Sequence, residues 1–319
     1  MRVDISRTKL VGIISEFSIA IALLAEIILF SQFSQYFFTT ENLLNVSLQA
    51  SITAIIAAGM TFVILTAGID LSVGSLVAFA GILATSIIRT DLPVYLSMFL
   101  GISAGLLFGI FSGYIAGIFV TRFRITPFIV TLALMTIWRG ASFVYTEGRP
   151  IWELPEVFAY LGGGRIAGIP VPTVIMVIVF IVSHIVLTRT RFGRYVYAVG
   201  GNVEAARLAG IKTNKILISV YVISGVLSAL AGILLTSRIN SGQPNAGLMY
   251  ELDVIAAVVV GGTSLFGGRG TILGTFLGAM LIAVLRNGLN LLNVGSYVQQ
   301  VIVGGVILLA VLLDQIRKN

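Results

Sequence analysis

Apolar runs of membrane-spanning length follow one another along this 319-residue chain, and they leave little room for a soluble architecture. A helix needs about 20 mostly apolar residues to cross the hydrocarbon core. By that criterion segments fall near residues 11–30, 46–66, 72–88, 94–119, 126–145, 171–188, 215–237, 252–267, 271–292 and 297–314. Helices and closed barrels alone satisfy their backbone in lipid, so the expectation is an all-α polytopic integral membrane protein with about ten transmembrane segments. The composition agrees, with 57% hydrophobic and 10% charged residues, where soluble domains carry about 25% charged. Residues 1–319 read as a single transmembrane domain. The first run, residues 10–30, is too long for a signal-peptide core and lacks a small-x-small cleavage pattern, so it reads as a retained helix.

The formal charge of +7 does not point to nucleic acid, because the basic residues sit between apolar spans and form no contiguous stripe. Basic residues concentrate on cytoplasmic loops. With both termini cytoplasmic, 14 of the 20 Lys and Arg fall inside, including Arg2, Arg7, Lys9, Arg122, Arg124, Arg269, Arg317 and Lys318. Arg89, Arg139, Arg149, Arg165, Arg238 and Arg286 fall outside. The absence of Cys excludes disulfides and thiolate metal sites.

The polar stretch 189–215 carries Arg189, Arg191, Arg194, Arg207, Lys212 and Lys215 against one acid, Glu204. Gly200 and Gly201 loosen the chain there. Asn202 is placed to cap a short helix over 203–209, and Gly210 to end it. So short a helix is unstable alone and needs a surface. Ala205, Ala206, Ala209 and Gly210 give it a small-residue face, with Leu208 and Ile211 as apolar anchors. Spacing alone leaves two readings open, a capped surface helix and a docking element.

Outside, the loop 146–172 holds Leu154, Val157, Phe158 and Leu161 at helical spacing after Pro155. This predicts a short amphipathic helix on the membrane face or against the bundle, for packing or for receiving an external partner. Tight turns at Ala67-Gly68-Ile69-Asp70-Leu71 and around Gly267, Gly268, Arg269 and Gly270 leave the adjoining segments short enough to be re-entrant. Gly270, Gly274 and Gly278 repeat every four residues, the mark of a close helix contact.

Catalytic residues are not in evidence in the sequence. It has no Gly-x4-Gly-Lys-Ser/Thr phosphate loop, and one His, His184, makes neither a triad nor a metal site. Two amide stripes are more informative. Asn42, Asn45, Gln49 and Thr53 follow helical spacing, as do Asn287, Asn290 and Asn293. They read either as hydrated helix ends or as the lining of a route for a hydroxyl-rich solute, since amides donate and accept without charge. Asp70 reads as a helix-capping group at the membrane edge, with ion coupling as the alternative. Glu26 lies within a span near its outer end. Gln243, Glu251 and Asp253 fall outside, where they are candidates for contact with an external partner.

Several stretches together resemble the ribose-type sugar permease family of bacterial ABC importers. They are Gly59-Met60-Thr61, Thr66-Ala67-Gly68-Ile69-Asp70-Leu71-Ser72-Val73-Gly74-Ser75, Arg191-Phe192-Gly193-Arg194-Tyr195 with Gly200-Gly201-Asn202, Tyr250-Glu251-Leu252-Asp253, Gly261-Gly262-Thr263-Ser264 and Gly288-Leu289-Asn290-Leu291-Leu292. Glu204-Ala205-Ala206 followed by Gly210 resembles the EAA coupling loop of such permeases. The resemblance implies a type II importer-like bundle in the bacterial inner membrane, with a second permease copy. It implies ATP-binding-cassette subunits docked inside on Glu204, Ala205, Ala206, Leu208 and Gly210, and a periplasmic or lipid-anchored sugar-binding protein outside. ATP and magnesium would be bound by the partner ATPase, with no cofactor on this chain. An ion-coupled secondary transporter and a branched-chain amino-acid permease are the alternatives.

Overall fold

The computed structural model describes the backbone of residues 5–318 and the side chains of residues 19–309 and 312. The basic start at Arg2, Arg7 and Lys9, and the closing Arg317 and Lys318, lie outside the described side chains. The order is α1 (Ile5–Phe33), α2 (Thr40–Leu65), α3 (Val73–Ile88), α4 (Val94–Thr121), α5 (Pro127–Thr146), α6 (Glu156–Gly163), β1 (Arg165–Ile166), β2 (Ile169–Pro170), α7 (Val171–Arg189), α8 (Arg191–Gly201), α9 (Val203–Leu208), α10 (Thr213–Ile239), α11 (Tyr250–Val260), α12 (Ile272–Leu291) and α13 (Ser296–Lys318).

Among the described residues α2, α4, α5, α7, α10 and α12 are long and apolar enough to cross a membrane. The segment expected at 252–267 is different. With 11 residues α11 is about 16 Å long, half of a hydrocarbon core of about 30 Å. Gly261 ends it, and residues 261–271 form a turn with Gly262, Gly267, Gly268 and Gly270 at positive φ.

α2 is the central helix, buried without interruption from Ala54 to Leu65 and surrounded by α7, α10, α11 and α12. Its contact with α12 includes a hydroxyl pair, Thr61 with Thr275 at 2.8 Å. In lipid such contacts depend on close packing rather than on expulsion of water. α4 achieves this closeness with a row of small residues, burying Gly101, Gly105, Gly109, Gly113 and Gly117. A methyl group on Gly109 would overlap the carbonyl of Gly225 in α10, and one on Gly113 that of Tyr221. The expected glycine face of α12 behaves alike, for Gly274 and Gly278 meet the carbonyls of Gly261 and Ala257.

The predicted external helix is α6. It lies against the bundle, with Phe158 and Leu154 buried and Val157 left exposed. Ser237 at the end of α10 donates its hydroxyl to the Phe158 carbonyl at 2.5 Å. A backbone bridge from Ile151 to Gly242 ties this loop to the chain after α10.

Candidate functional site

Three polar regions interrupt the apolar bundle. The first is α8 and α9, at the end where α2 and α11 finish. Thr190 caps α8 by accepting the Gly193 N–H at 3.2 Å, and Asn202 caps α9 by accepting that of Ala205 at 2.9 Å. α9 closes in a Schellman motif. Gly210 adopts φ 83°, its N–H reaches Arg207, and the Ile211 N–H reaches Ala206. The sequence signals for α9 and its end therefore hold. α8 went unforeseen, although Phe192, Val196 and Val199 carry helical spacing.

The expected docking face needs one correction. Ala206 is buried in the protein's own core, and Ile211 packs against that core. The inward turn of Ala206 follows from a helix this short anchoring itself by one side. Ala205, Ala209, Gly210 and Glu204 remain exposed, and Leu208 is 84% exposed. Glu204 pairs with Arg207 one turn away at 2.6 Å. Above α9, Gly200 sits on the carbonyl of Leu65 where a side chain would not fit. Gly268 donates to that same carbonyl at 2.9 Å, so α8, the end of α2 and the α11–α12 turn meet at one point.

The second region is the break between α10 and α11. Residues 240–249 were expected outside with Gln243, Glu251 and Asp253 at the rim. Instead the chain turns at Asn240 (φ 51°), passes Gly242 against Thr85, and reaches inward until Gly247 lies on Gly74. Glu251 and Asp253 are thereby carried into the bundle. Gln243 alone stays beside the outer bridge. The reason is covalent: a non-helical stretch advances further per residue than a helix, so α11 starts well below the end of α10. Arg139 of α5 donates to the carbonyls of Pro244 at 2.7 Å and Ala246 at 2.8 Å. Glu251 rests its carboxylate over Gly74, and Asp253 accepts from Arg286 at 2.6 Å. Arg139 and Arg286 are thus bundle residues, not outer-loop cations.

The third region is the pair of amide stripes, and they face each other. Asn42 and Asn287 exchange amide hydrogen bonds at 3.0 and 2.9 Å, and Asn287 is buried. Asn290 accepts from Gln299 at 2.7 Å. Thr53 bonds back to the Ala50 carbonyl at 3.2 Å, and Gln49 is half-buried. Asn45 lines a small external cavity of about 110 Å³ with Glu41 and Arg165, below the roughly 300 Å³ where ligand pockets begin. Asn287 is therefore a clasp between α2 and α12 and does not line an open route in this structure.

Asp70 is buried within the protein. It accepts the Ser72 N–H at 3.0 Å, the Ser72 hydroxyl at 2.6 Å and the Ser224 hydroxyl at 2.8 Å. It thus joins the approach to α3 to the middle of α10. His184 is exposed on α7.

A family model described as branched-chain amino acid transport system / permease component matches residues 42–311. The ribose import permease protein RbsC of Haemophilus influenzae is 51% identical over 298 residues, 92% of this chain and 91% of the relative. That of Escherichia coli K12 is 49% identical over 302 residues, 93% of each. The D-allose transport system permease protein AlsC of Escherichia coli is 37% identical over 282 residues, 88% of this chain and 86% of the relative. No solved structure matches. Within the wider family of that model, the chain belongs to the ribose-type permeases of ATP-binding-cassette importers, as a membrane transport subunit and not the ATPase.

Proposed function

We propose that this subunit passes ribose or a related monosaccharide from an external binding protein to the cytoplasm by alternating access. It works as two copies with ATP-binding-cassette subunits docked beneath α9, and ATP with magnesium is held by those subunits. The observation that carries this reading is α9 itself. It is a capped helix one side of which is anchored in the core, while Leu208, Ala205, Glu204 and Gly210 stand free. That free face carries Glu204, Ala205 and Gly210, the positions by which this loop resembles the coupling loop of such permeases. The identity to ribose and allose permeases favours a sugar over an amino acid.

The proposed topology has about ten membrane segments with both termini cytoplasmic, in the bacterial inner membrane, and the break at 240–249 together with α11 makes the eighth crossing. Helix order supports it. Ile19 of α1 lies near Gly262 and Phe30 lies on Gly288, so α1 runs parallel to α12 and starts on the side of α9. Residues 189–215 form the cytoplasmic coupling loop and 146–172 the external one in this arrangement.

The test is reconstitution of the permease with its ATPase and binding protein in liposomes. ATP-dependent uptake of ribose, with little uptake of leucine, is expected. Uptake driven by a proton or sodium gradient without ATP would overturn the proposal.

A further inference from the structure

We infer, on the basis of the proposed sugar transport, that Arg139, Glu251 and Asn245, together with the open face of α5 at Thr136 and Gly140, form the point at mid-membrane where the sugar is handed through.

Depth comes from helix geometry. α5 has 20 residues, so it is about 30 Å long, and Thr136 to Gly140 fall roughly 14 to 20 Å along it. Glu251 lies on Gly74, and Val77, one turn further along α3, packs on Gly232, about 10 Å short of the end of α10, which puts Glu251 about 15 Å from that end. Both charged groups therefore lie far from either surface.

At that depth Asn245 is an exposed amide, while the Thr136 hydroxyl bonds back to the Leu132 carbonyl at 3.0 Å. Thr136, Gly140 and Asn245 are exposed, and a side chain at Gly140 would meet open space. Asn245, and with it the apolar Leu248 and Met249, is exposed on a stretch without helical hydrogen bonding. Irregular backbone at membrane depth is tolerated only where protein covers it or where it lines a watery route. Transporters build midplane sites at such helix breaks. Arg139 and Glu251 influence each other electrostatically but form no ion pair among the described residues. Glu251 has no hydrogen-bond partner beyond its own backbone N–H among those residues. An accepting carboxylate, a guanidinium and an exposed amide together suit a neutral polyol, whose hydroxyls both donate and accept. Arg139 also holds the break in place through Pro244 and Ala246, so it is a positioning residue as well, and the test rests on its neighbours.

The native chain has no Cys, so one introduced thiol reports alone. Thr136→Cys, Gly140→Cys and Asn245→Cys are each reconstituted as the full complex and treated with a charged, membrane-impermeant thiol reagent. Leu107→Cys and Ile178→Cys, at exposed apolar positions of α4 and α7, serve as lipid-facing controls. The expected result is labelling about tenfold or more faster than the controls, slowed by ribose with its binding protein. Glu251→Gln is expected to lower ribose uptake about tenfold, the loss of one charged hydrogen bond, with the folded amount and ATPase capture unchanged. Asn245→Ala is expected to change the ratio of ribose to allose uptake. Labelling at control rates, as in lipid or a dry contact with the second copy, overturns the inference while sugar uptake by the unmodified complex persists. Unaltered uptake and sugar preference in both variants overturn it equally. Absence of sugar uptake by the unmodified complex overturns instead the proposed function on which it rests.

Discussion

The hydroxyl of Tyr197 in α8 donates to the carbonyl of Gly270 in the turn before α12, 2.7 Å away. This bond joins the short helices α8 and α9 to the segment that follows the half-helix α11. A motion of α9 imposed by an ATPase has a mechanical path through α8 to the glycine turn and to Leu65 of α2. Tyr197→Phe removes the bond and keeps the ring, a change of about 1 kcal/mol. The expected result is retained ATPase capture with less sugar moved per ATP hydrolysed, measured in liposomes. Unchanged stoichiometry would show that the link is passive. Burial raises the Tyr197 phenol above its usual range, so the folded state favours the neutral, donating form. That contribution is complete below the unfolded pKa and is lost only as alkaline pH passes the folded one, hence no effect is expected near neutrality.

Leu208 and Ala206 belong to the same short helix and face opposite ways. Leu208→Asp is expected to abolish co-purification of the ATPase while leaving the amount of folded permease unchanged, because Leu208 touches little of its own chain. Ala206→Leu forces added volume into a filled core, at a cost of about 1–3 kcal/mol, and is expected to lower the folded amount itself. Size-exclusion profiles alongside pull-downs separate the two. Equal loss of fold in both variants would mean that the exposed face of α9 has a role within the permease.

The Asn42–Asn287 clasp predicts coupled rather than additive losses. Asn42→Ala leaves the buried Asn287 amide without its partner, Asn287→Ala leaves the half-buried Asn42 with its bond to the Phe37 carbonyl, and the second substitution then removes little more. Inter-helix hydrogen bonds in membranes average about 0.6 kcal/mol, so a modest fall in thermal stability is expected. Sugar preference should not move. Changed preference at full stability would restore these amides as a pathway lining.

Segment positions were legible because spanning helices must be long and apolar, and the ends of α3, α4, α5, α7 and α12 lie within a few residues of their expected places. The cap at Asn202 and the stop at Gly210 were legible because both act on their immediate neighbours. Depth and facing were not. Glu251 and Asp253 follow a stretch that looks like an outer loop, and its inward path is set by Gly242 on Thr85 and Gly247 on Gly74, contacts between residues far apart in sequence. The amide stripes were located correctly, yet spacing cannot tell a face turned to a partner helix from one turned to water. The short helix α9 showed the same ambiguity at Ala206.

Asp70 gives the sharpest separation between structural and ion-coupling roles. Its carboxylate accepts three hydrogen bonds, two from Ser72 and one from Ser224. Asn at this position keeps one oxygen for Ser72 and turns its amide toward Ser224, whose hydroxyl also accepts. Asp70→Asn should therefore retain most ATP-driven uptake. Ala keeps none of the acceptors and leaves buried donors unpaired, at about 1–3 kcal/mol for each, so Asp70→Ala should fold poorly. Ser224→Ala should fall between the two, since it removes a single donor. Uptake is measured in liposomes with and without an imposed ion gradient, and folded yield by size exclusion. If Asp70→Asn folds normally but loses uptake that depends on the gradient, the carboxylate carries an ion and the structural account of it fails.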